Sequence, residues 1–305
     1  MILSSSPSGP PRAGLLAGAL ALGVLSGVTP LAAQGATDSA FLMREVRVLA
    51  ADSMEGRKMG SAGGARARRY LLRRLGELRL TPLGSGYEHP FGAGVNLLGV
   101  IPGTGRGTRY IVLSAHYDHL GVMRGETYNG ADDNASGTAA VLAIVRELHR
   151  KPLSHSVIVA LFDGEEEGLL GARAFVAKPP VARSTIALDV NLDMVGHSET
   201  GELWAAGTAR YPELLPTLVA LRQRAPVRLL LGHDRGGVRG QQDWTSDSDH
   251  GAFHAVGIPF IYFGVEDHKD YHRPTDDPET LTPAFFAGAV KTVLEALRAL
   301  DGAVR

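Results

Sequence analysis

Three apolar runs in this chain each stop on a histidine or a carboxylate. Residues 110–115 lead into His116, residues 157–162 into Glu165 and Glu166, and residues 186–192 into Asp193. Runs of this length, rich in Val, Ile and Leu, are what strands buried on both faces require. Runs at 95–101 and 259–263 share the texture. Between most of them lie stretches with helical spacing, at 135–149, 169–177, 212–222 and 283–300, the last with Phe286, Val290, Val293, Leu297 and Leu300 on one stripe. Two amphipathic helices, 41–50 and 65–78, come before the first strand. Strands alternating with helices specify an α/β domain. The expected architecture is a three-layer α/β/α sandwich around a mixed, mostly parallel central sheet. Its mixed character follows from Pro102, Gly103, Gly105 and Gly107, which make a hairpin-like turn between 95–101 and 110–115 and hence an antiparallel join. The GTGRG of that turn runs into a strand, whereas a phosphate-binding loop must open a helix.

Composition narrows the function. Lys and Arg total 31 against 32 Asp and Glu, a net charge of -1. No long-range field draws in nucleic acid or anionic membranes. The chain has no cysteine, which removes disulfides, a thiolate nucleophile and Cys-rich zinc knuckles and leaves only N and O donors for any metal. At the start, Arg12 is followed by an apolar run over 13–28 and then by Ala32 and Ala33. The run is shorter than the roughly 20 residues of a spanning helix, so it reads as a secretory leader over residues 1–33. Residues 34–305 then form one domain, exported to the periplasm or outside the cell, without stable membrane insertion after cleavage.

The polar residues at the strand ends carry the chemistry. In SAHYDHLG, His116, Asp118 and His119 emerge at a carboxyl edge, where α/β proteins keep their sites. His116 is the better metal ligand, with Asp118 placed to hold its other ring nitrogen. In NGADDNASG a helix cap explains one Asp or Asn but not Asp132 and Asp133 together. A carboxylate there could bridge two cations about 3.5–4 Å apart. In FDGEEEG, Glu165, Glu166 and Glu167 crowd a strand end, where like charges repel unless cations or a shared proton relieve them. NLDMVG adds Asp193, and DYHRPTDDPETL adds Tyr271 and His272 in a loop after the strand at 259–263. His250 and His254 have the i, i+4 spacing of a helical zinc pair, but HGAFH lacks the acid of HEXXH, so they read as pocket walls or as supports behind the metal ligands. Trp244, Phe253, Tyr262 and Phe263 fit either a pocket or the core.

Taken in order from about Asp52 to Pro278, and including DSMEGRKMGSAGG and SDHGAFHAVGIPF, these motifs resemble the co-catalytic two-zinc exopeptidases typified by secreted bacterial leucyl aminopeptidases and glutamate carboxypeptidase II. The resemblance implies a zinc-peptidase fold and two zinc ions. It implies that Asp133 bridges them, that His116 and Asp193 complete one site, and that Glu166 and His272 complete the other. It further implies a cis peptide bond between Asp133 and Asn134, and Glu165 as the general base acting on a water shared by the metals. Tyr271, beside a ligand, is placed to hydrogen-bond the developing oxyanion. The substrate would be a peptide or small N-terminal amine, and no nucleic acid. Aminopeptidase is favoured over carboxypeptidase on length alone, since there is little room for inserted protease-associated and dimerisation domains.

Two rival readings share the fold. A glutaminyl-cyclase-type zinc acyltransferase has a similar FDGEE segment, but that group carries an insertion after the acidic pair and a Trp before the last histidine. Here GLLGARA follows at once and Tyr271 is the neighbour. An inert binding module on the fold usually loses ligands, and all five are present. The stretch 225–247, rich in Arg and Gly, matches no segment of the family and is expected to shape the specificity pocket.

Overall fold

Chain direction and strand order decide where the polar strand ends meet. The computed structural model describes Gly9 and residues 38–237 and 242–304. The expected leader at 1–33 lies outside the described residues, Gly9 apart. Helix α1 (Ser39–Leu49) is capped by the Asp38 carboxylate, which accepts from the Ala40 amide at 2.9 Å. Helix α2 (Ala62–Glu77) is capped by Ser61 through the Gly64 amide at 3.0 Å. The strands β1 (Thr81–Pro82), β2 (Glu88–Phe91), β3 (Gly94–Ile101), β4 (Tyr110–His116), β5 (Gly121–Met123) and β6 (Glu126–Tyr128) follow. A kinked turn over Ala131–Ser136 then opens α3 (Gly137–Arg150). The rest of the chain runs β7 (Ser156–Phe162), α4 (Leu170–Ala177), β8 (Ile186–Leu192), β9 (Glu202–Ala206), α5 (Leu215–Arg222), β10 (Arg228–Leu231), α6 (His250–Ala255), β11 (Phe260–Gly264) and α7 (Pro283–Asp301).

The main sheet is ordered β1-β3-β7-β4-β8-β11-β9-β10, with β2 also on β3. Its centre, β7-β4-β8-β11, is parallel throughout. Antiparallel joins lie outside that centre, at β3 with β7 and at β9 with β11. Helices α1, α3, α5 and α7 cover one face, and α4 and α6 cover the other. This is the expected α/β/α sandwich with a mixed sheet. The stripe on α7 is buried as its spacing requires, with Phe286, Val290, Val293, Leu297 and Leu300 each at 0 % exposure.

The hairpin-like turn after β3 does not make a hairpin. Strand β7 lies between β3 and β4, antiparallel to the first and parallel to the second. The connecting loop passes over the approach to β7 and is tied down there. The Thr104 amide donates to Leu153 O at 2.9 Å, the Gly105 amide to Ser154 O at 3.0 Å and the Gly103 amide to Ser156 Oγ at 3.0 Å. Pro and Gly signal a change of direction, but not which strand fills the gap.

Strand β8 carries a buried titratable group away from the strand ends. Asp189 is fully buried, and only its Oδ1 has a partner, the Ser114 hydroxyl at 2.8 Å. Burial pushes its carboxyl up to about 8. The folded state therefore binds a proton that the unfolded chain releases above its ordinary value of 3.8. Stability falls as pH rises from about 4 to 8. Asp189→Asn keeps the shape and removes the titration. Urea unfolding of the chelated proteins at pH 5 and pH 8 should show parent and variant closest at pH 5, with the variant more stable at pH 8 by roughly 1–4 kcal/mol. Equal pH slopes would contradict the buried, protonated Asp189.

Candidate metal centre

Parallel neighbours end in register, and that register assembles the site. His116, the last residue of β4, pairs with Phe162, the last of β7, so Glu165 and Glu166 emerge beside it. Asp193 follows β8 on the other side of β4. The turn before α3 supplies Asp133, and the loop after β11 supplies His272. Asp133 lies between the two imidazoles. Its Oδ1 is 3.4 Å from His116 Nε2 and its Oδ2 is 3.0 Å from His272 Nε2. His116 Nε2 also lies 3.2 Å from Asp193 Oδ1, and His272 Nε2 lies 3.3 Å from Glu166 Oε2. Glu165 Oε2 stands 4.0 Å from His116 Nε2. The five expected ligands and the expected base thus converge on one place.

The backbone is bent hard to do this. The Asp133–Asn134 bond is cis, as the resemblance implies, and His272, Met194 and Leu169 around the cavity have φ of 54°, 56° and 60°. Left-handed conformations are uncommon for such residues and cluster where a site dictates them. Gly130, with φ 55°, lets the turn close up: a Cβ there would lie 2.0 Å from Asp133 O and 2.5 Å from the His119 ring.

Electrostatically the cluster is strongly acidic and has no Lys or Arg ion-paired to it among the described residues. Burial, and then Glu166, raises the Asp133 carboxyl. Burial also raises Glu165 well above the usual range, helped by Asp193, Asp249 and Glu166 against the pull of His116. Glu166 goes the other way, because hydrogen bonds from His119 and His272 outweigh its burial. His272 rises to about 10, since its bonds to Asp133 and Glu166 overcome burial. Imidazole nitrogens and carboxylate oxygens packed this way form two donor groups, His116 with Glu165 and Asp193, and His119 with Asp133 and Glu166. Neutral imidazole and carboxylate are zinc donors, so the residues present fit that ion.

Two contacts around the ligands depart from the sequence expectation. Asp118 was expected to hold the second nitrogen of His116, yet the nearer contact to His116 Nδ1 is the Asp118 carbonyl at 3.2 Å, with the carboxylate at 3.7 Å. The carboxylate instead accepts the Glu165 amide at 3.1 Å. Tight turning after β4 brings the main chain under the ring before the side chain can reach it. His119, passed over in favour of His116, is fully buried with Nδ1 2.6 Å from Glu166 Oε1. Its signal was the HYDH spacing, which turns both histidines toward neighbouring strand ends.

Profile comparison matches residues 96–297 to peptidase family M28. The chain belongs to that family. Among curated proteins, this M28 chain is 29 % identical over 188 residues to Aminopeptidase YwaD of Bacillus subtilis, covering 56 % of this chain and 37 % of that protein. It is 29 % identical over 197 residues to a probable glutamate carboxypeptidase of Zea mays, covering 59 % and 26 %. It is 27 % identical over 211 residues to a vacuolar membrane protease of Schizosaccharomyces pombe, covering 68 % and 23 %. The M28 chain therefore spans about a quarter of the length of the last two. A zinc aminopeptidase structure from Bacillus subtilis aligns with TM-score 0.57 and 25 % identity over 70 % of this chain and 50 % of its own. A leucine aminopeptidase precursor from Bacteroides thetaiotaomicron shares the fold, with TM-score 0.68 and 17 % identity over 86 % and 97 %.

A cavity of about 490 Å³ opens onto the M28 cluster, with Leu169, Met194, Trp244 and Tyr262 on its apolar walls and Tyr271 at the side. Trp244 stacks flat on His233, with ring centroids 3.6 Å apart. Phe253 and Phe263 belong to the core. His250 and His254 stand outside both donor groups and off the cavity lining: His250 Nε2 faces Trp244 O at 2.7 Å, and His254 Nδ1 meets the Tyr211 hydroxyl at 2.8 Å. Of the unplaced stretch 225–247, Arg228–Leu231 forms an edge strand, Gln242 and Trp244 reach the cavity, and 238–241 lie outside the described residues.

Proposed function

We propose that this chain is a zinc-dependent aminopeptidase that hydrolyses N-terminal residues from peptides. The observation that carries this reading is the Asp133 carboxylate, whose two oxygens face two separate imidazoles, each with a further carboxylate beside it. In this reading His116 and Asp193 hold one zinc, Glu166 and His272 hold a second, and Asp133 is shared. His119 fixes the orientation of Glu166. When bound, the ions supply Lewis acidity to the scissile carbonyl and to water.

The side chains do the rest. Glu165 takes the proton of the attacking water and returns it to the leaving amine. Burial raises its proton affinity above that of an ordinary carboxylate, which strengthens it as an acceptor of that proton. Asp118, by holding the Glu165 amide, keeps that carboxylate beside the donors without using one of its oxygens. Tyr271 stacks on His272 with centroids 3.9 Å apart, and burial raises its phenol, so the hydroxyl stays protonated and able to donate to the oxyanion. Tyr271→Phe should lower kcat by about a hundredfold with little change in KM. A variant with parent kcat would return Tyr271 to a packing role.

The domain organisation we propose is a leader over residues 1–33 followed by one catalytic domain over 34–305, exported to the periplasm or beyond. Among the described residues no helix is long and apolar enough to cross a membrane. A panel of amino-acid p-nitroanilides, assayed before and after chelation and zinc readdition, tests the activity. Zinc-dependent release of p-nitroaniline is expected. Cyclisation of N-terminal glutamine without hydrolysis would favour the cyclase, and no turnover with any substrate would favour a binding module.

A further inference from the structure

The segment between α1 and α2 is bent into an unusual path. Glu55, Gly56 and Arg57 in succession have φ of 49°, 60° and 51°. A Cβ on Gly56 would lie 2.3 Å from Tyr128 O and 2.7 Å from Gly121 O, so the loop is pressed against the strands that precede the Asp133 turn. Three left-handed residues in a row, two of them bearing side chains, need a strong reason to persist.

The path delivers the Arg57 side chain into the interior, where it is 0 % exposed. Buried arginines ordinarily pair with carboxylates. Arg57 has no such ion pair among the described residues and bonds only to main-chain carbonyls. Nε donates to Tyr117 O at 2.9 Å, Nη1 to Leu49 O at 2.8 Å and to Asn129 O at 2.5 Å, and Nη2 to Gly130 O at 2.8 Å. Tyr117 follows His116, while Asn129 and Gly130 lead into the Asp133 turn. One rigid planar fork therefore joins the residue after one ligand to the residues before another. Its charge survives there: burial lowers the guanidinium to about 10, with Asp133, Asp276, Asp118 and Glu166 opposing the drop.

We infer that Arg57 is a positioning residue for the metal centre, fixing the His116 and Asp133 segments relative to each other through their backbone carbonyls. The inference rests on the two-metal reading and names a residue outside the ligand set that sets the distance between ligands. Lysine keeps the charge but gathers its three donors on one nitrogen, so it cannot reproduce four bonds spread over the three nitrogens of a planar fork.

Cobalt(II), in place of zinc, gives a test independent of turnover. In chelated protein well below its unfolding temperature, Arg57→Lys should bind cobalt about 10- to 100-fold more weakly than the parent and show an altered visible spectrum. Val293→Ala, a cavity in the buried stripe of α7, should lower the melting temperature while leaving cobalt affinity and spectrum at parent values. Parent-like binding and spectrum in Arg57→Lys would overturn the inference. Should that variant not fold, the parent alone decides, because linkage is reciprocal: cobalt should slow amide exchange over residues 52–58, and unchanged exchange there would overturn the inference. A parent that binds no cobalt would bring down the metal-centre reading itself, and this inference with it.

Discussion

Glu165→Gln keeps the metal content of the parent and lowers kcat by about two to four orders of magnitude. The amide has the shape of the carboxyl group but cannot take a proton from water at neutral pH. The loop should stay where it is, because it is the Glu165 amide, not the side chain, that Asp118 holds at 3.1 Å. Metal analysis and steady-state kinetics on the same preparation check both halves. Normal cleavage would make the base assignment wrong. Loss of zinc would instead make Glu165 a ligand, a role its grouping with His116 and Asp193 makes worth separating.

Asp133→Asn is expected to uncouple stability from metal. In the parent, saturating zinc at a hundred times its Kd adds about 2.7 kcal/mol, and chelation should lower the melting temperature by roughly 5–10 °C for a domain of this size. The variant should show the same melting temperature with and without zinc, since one of the two oxygens that face the imidazoles has become an amide nitrogen, which donates and cannot serve as a metal ligand. It should also lose p-nitroanilide hydrolysis. Its chelated form should melt above the chelated parent, because Asp133 is 3 % exposed and repelled by Glu166 and Asp193, and the substitution removes that charge at constant volume. Scanning calorimetry with and without chelator reads all of this; a zinc-dependent shift equal to the parent's would deny Asp133 its shared role.

The order of elements and the donors at their ends were legible because apolar periodicity and abrupt polar termination are both local signals. His116, Glu165, Glu166 and Asp193 sit at the ends of strands whose burial forced their residue types, and parallel pairing left one place for them to meet. Non-local pairing was not legible. Nothing in Pro102 to Gly107 reveals that β7 fills the gap between β3 and β4, and strands β9 and β10, which open on Glu202 and Arg228, lack the unbroken five-residue apolar run that marks 259–263. Main-chain partnerships were equally hidden. The Asp118 carboxylate under the Glu165 amide and the Arg57 fork on four carbonyls involve acceptors and donors that every residue possesses, so side-chain identity carries no trace of them.

The central claim is that scattered donors grip a pair of zinc ions around Asp133. Anomalous diffraction at the zinc edge, from crystals of the zinc-loaded protein, tests it directly. Two peaks should appear about 3.5–4 Å apart, one beside His116 and Asp193, the other beside Glu166 and His272, with one Asp133 oxygen on each. Crystals with no peak among these residues, or with His116 and His272 turned away from one another, would contradict it.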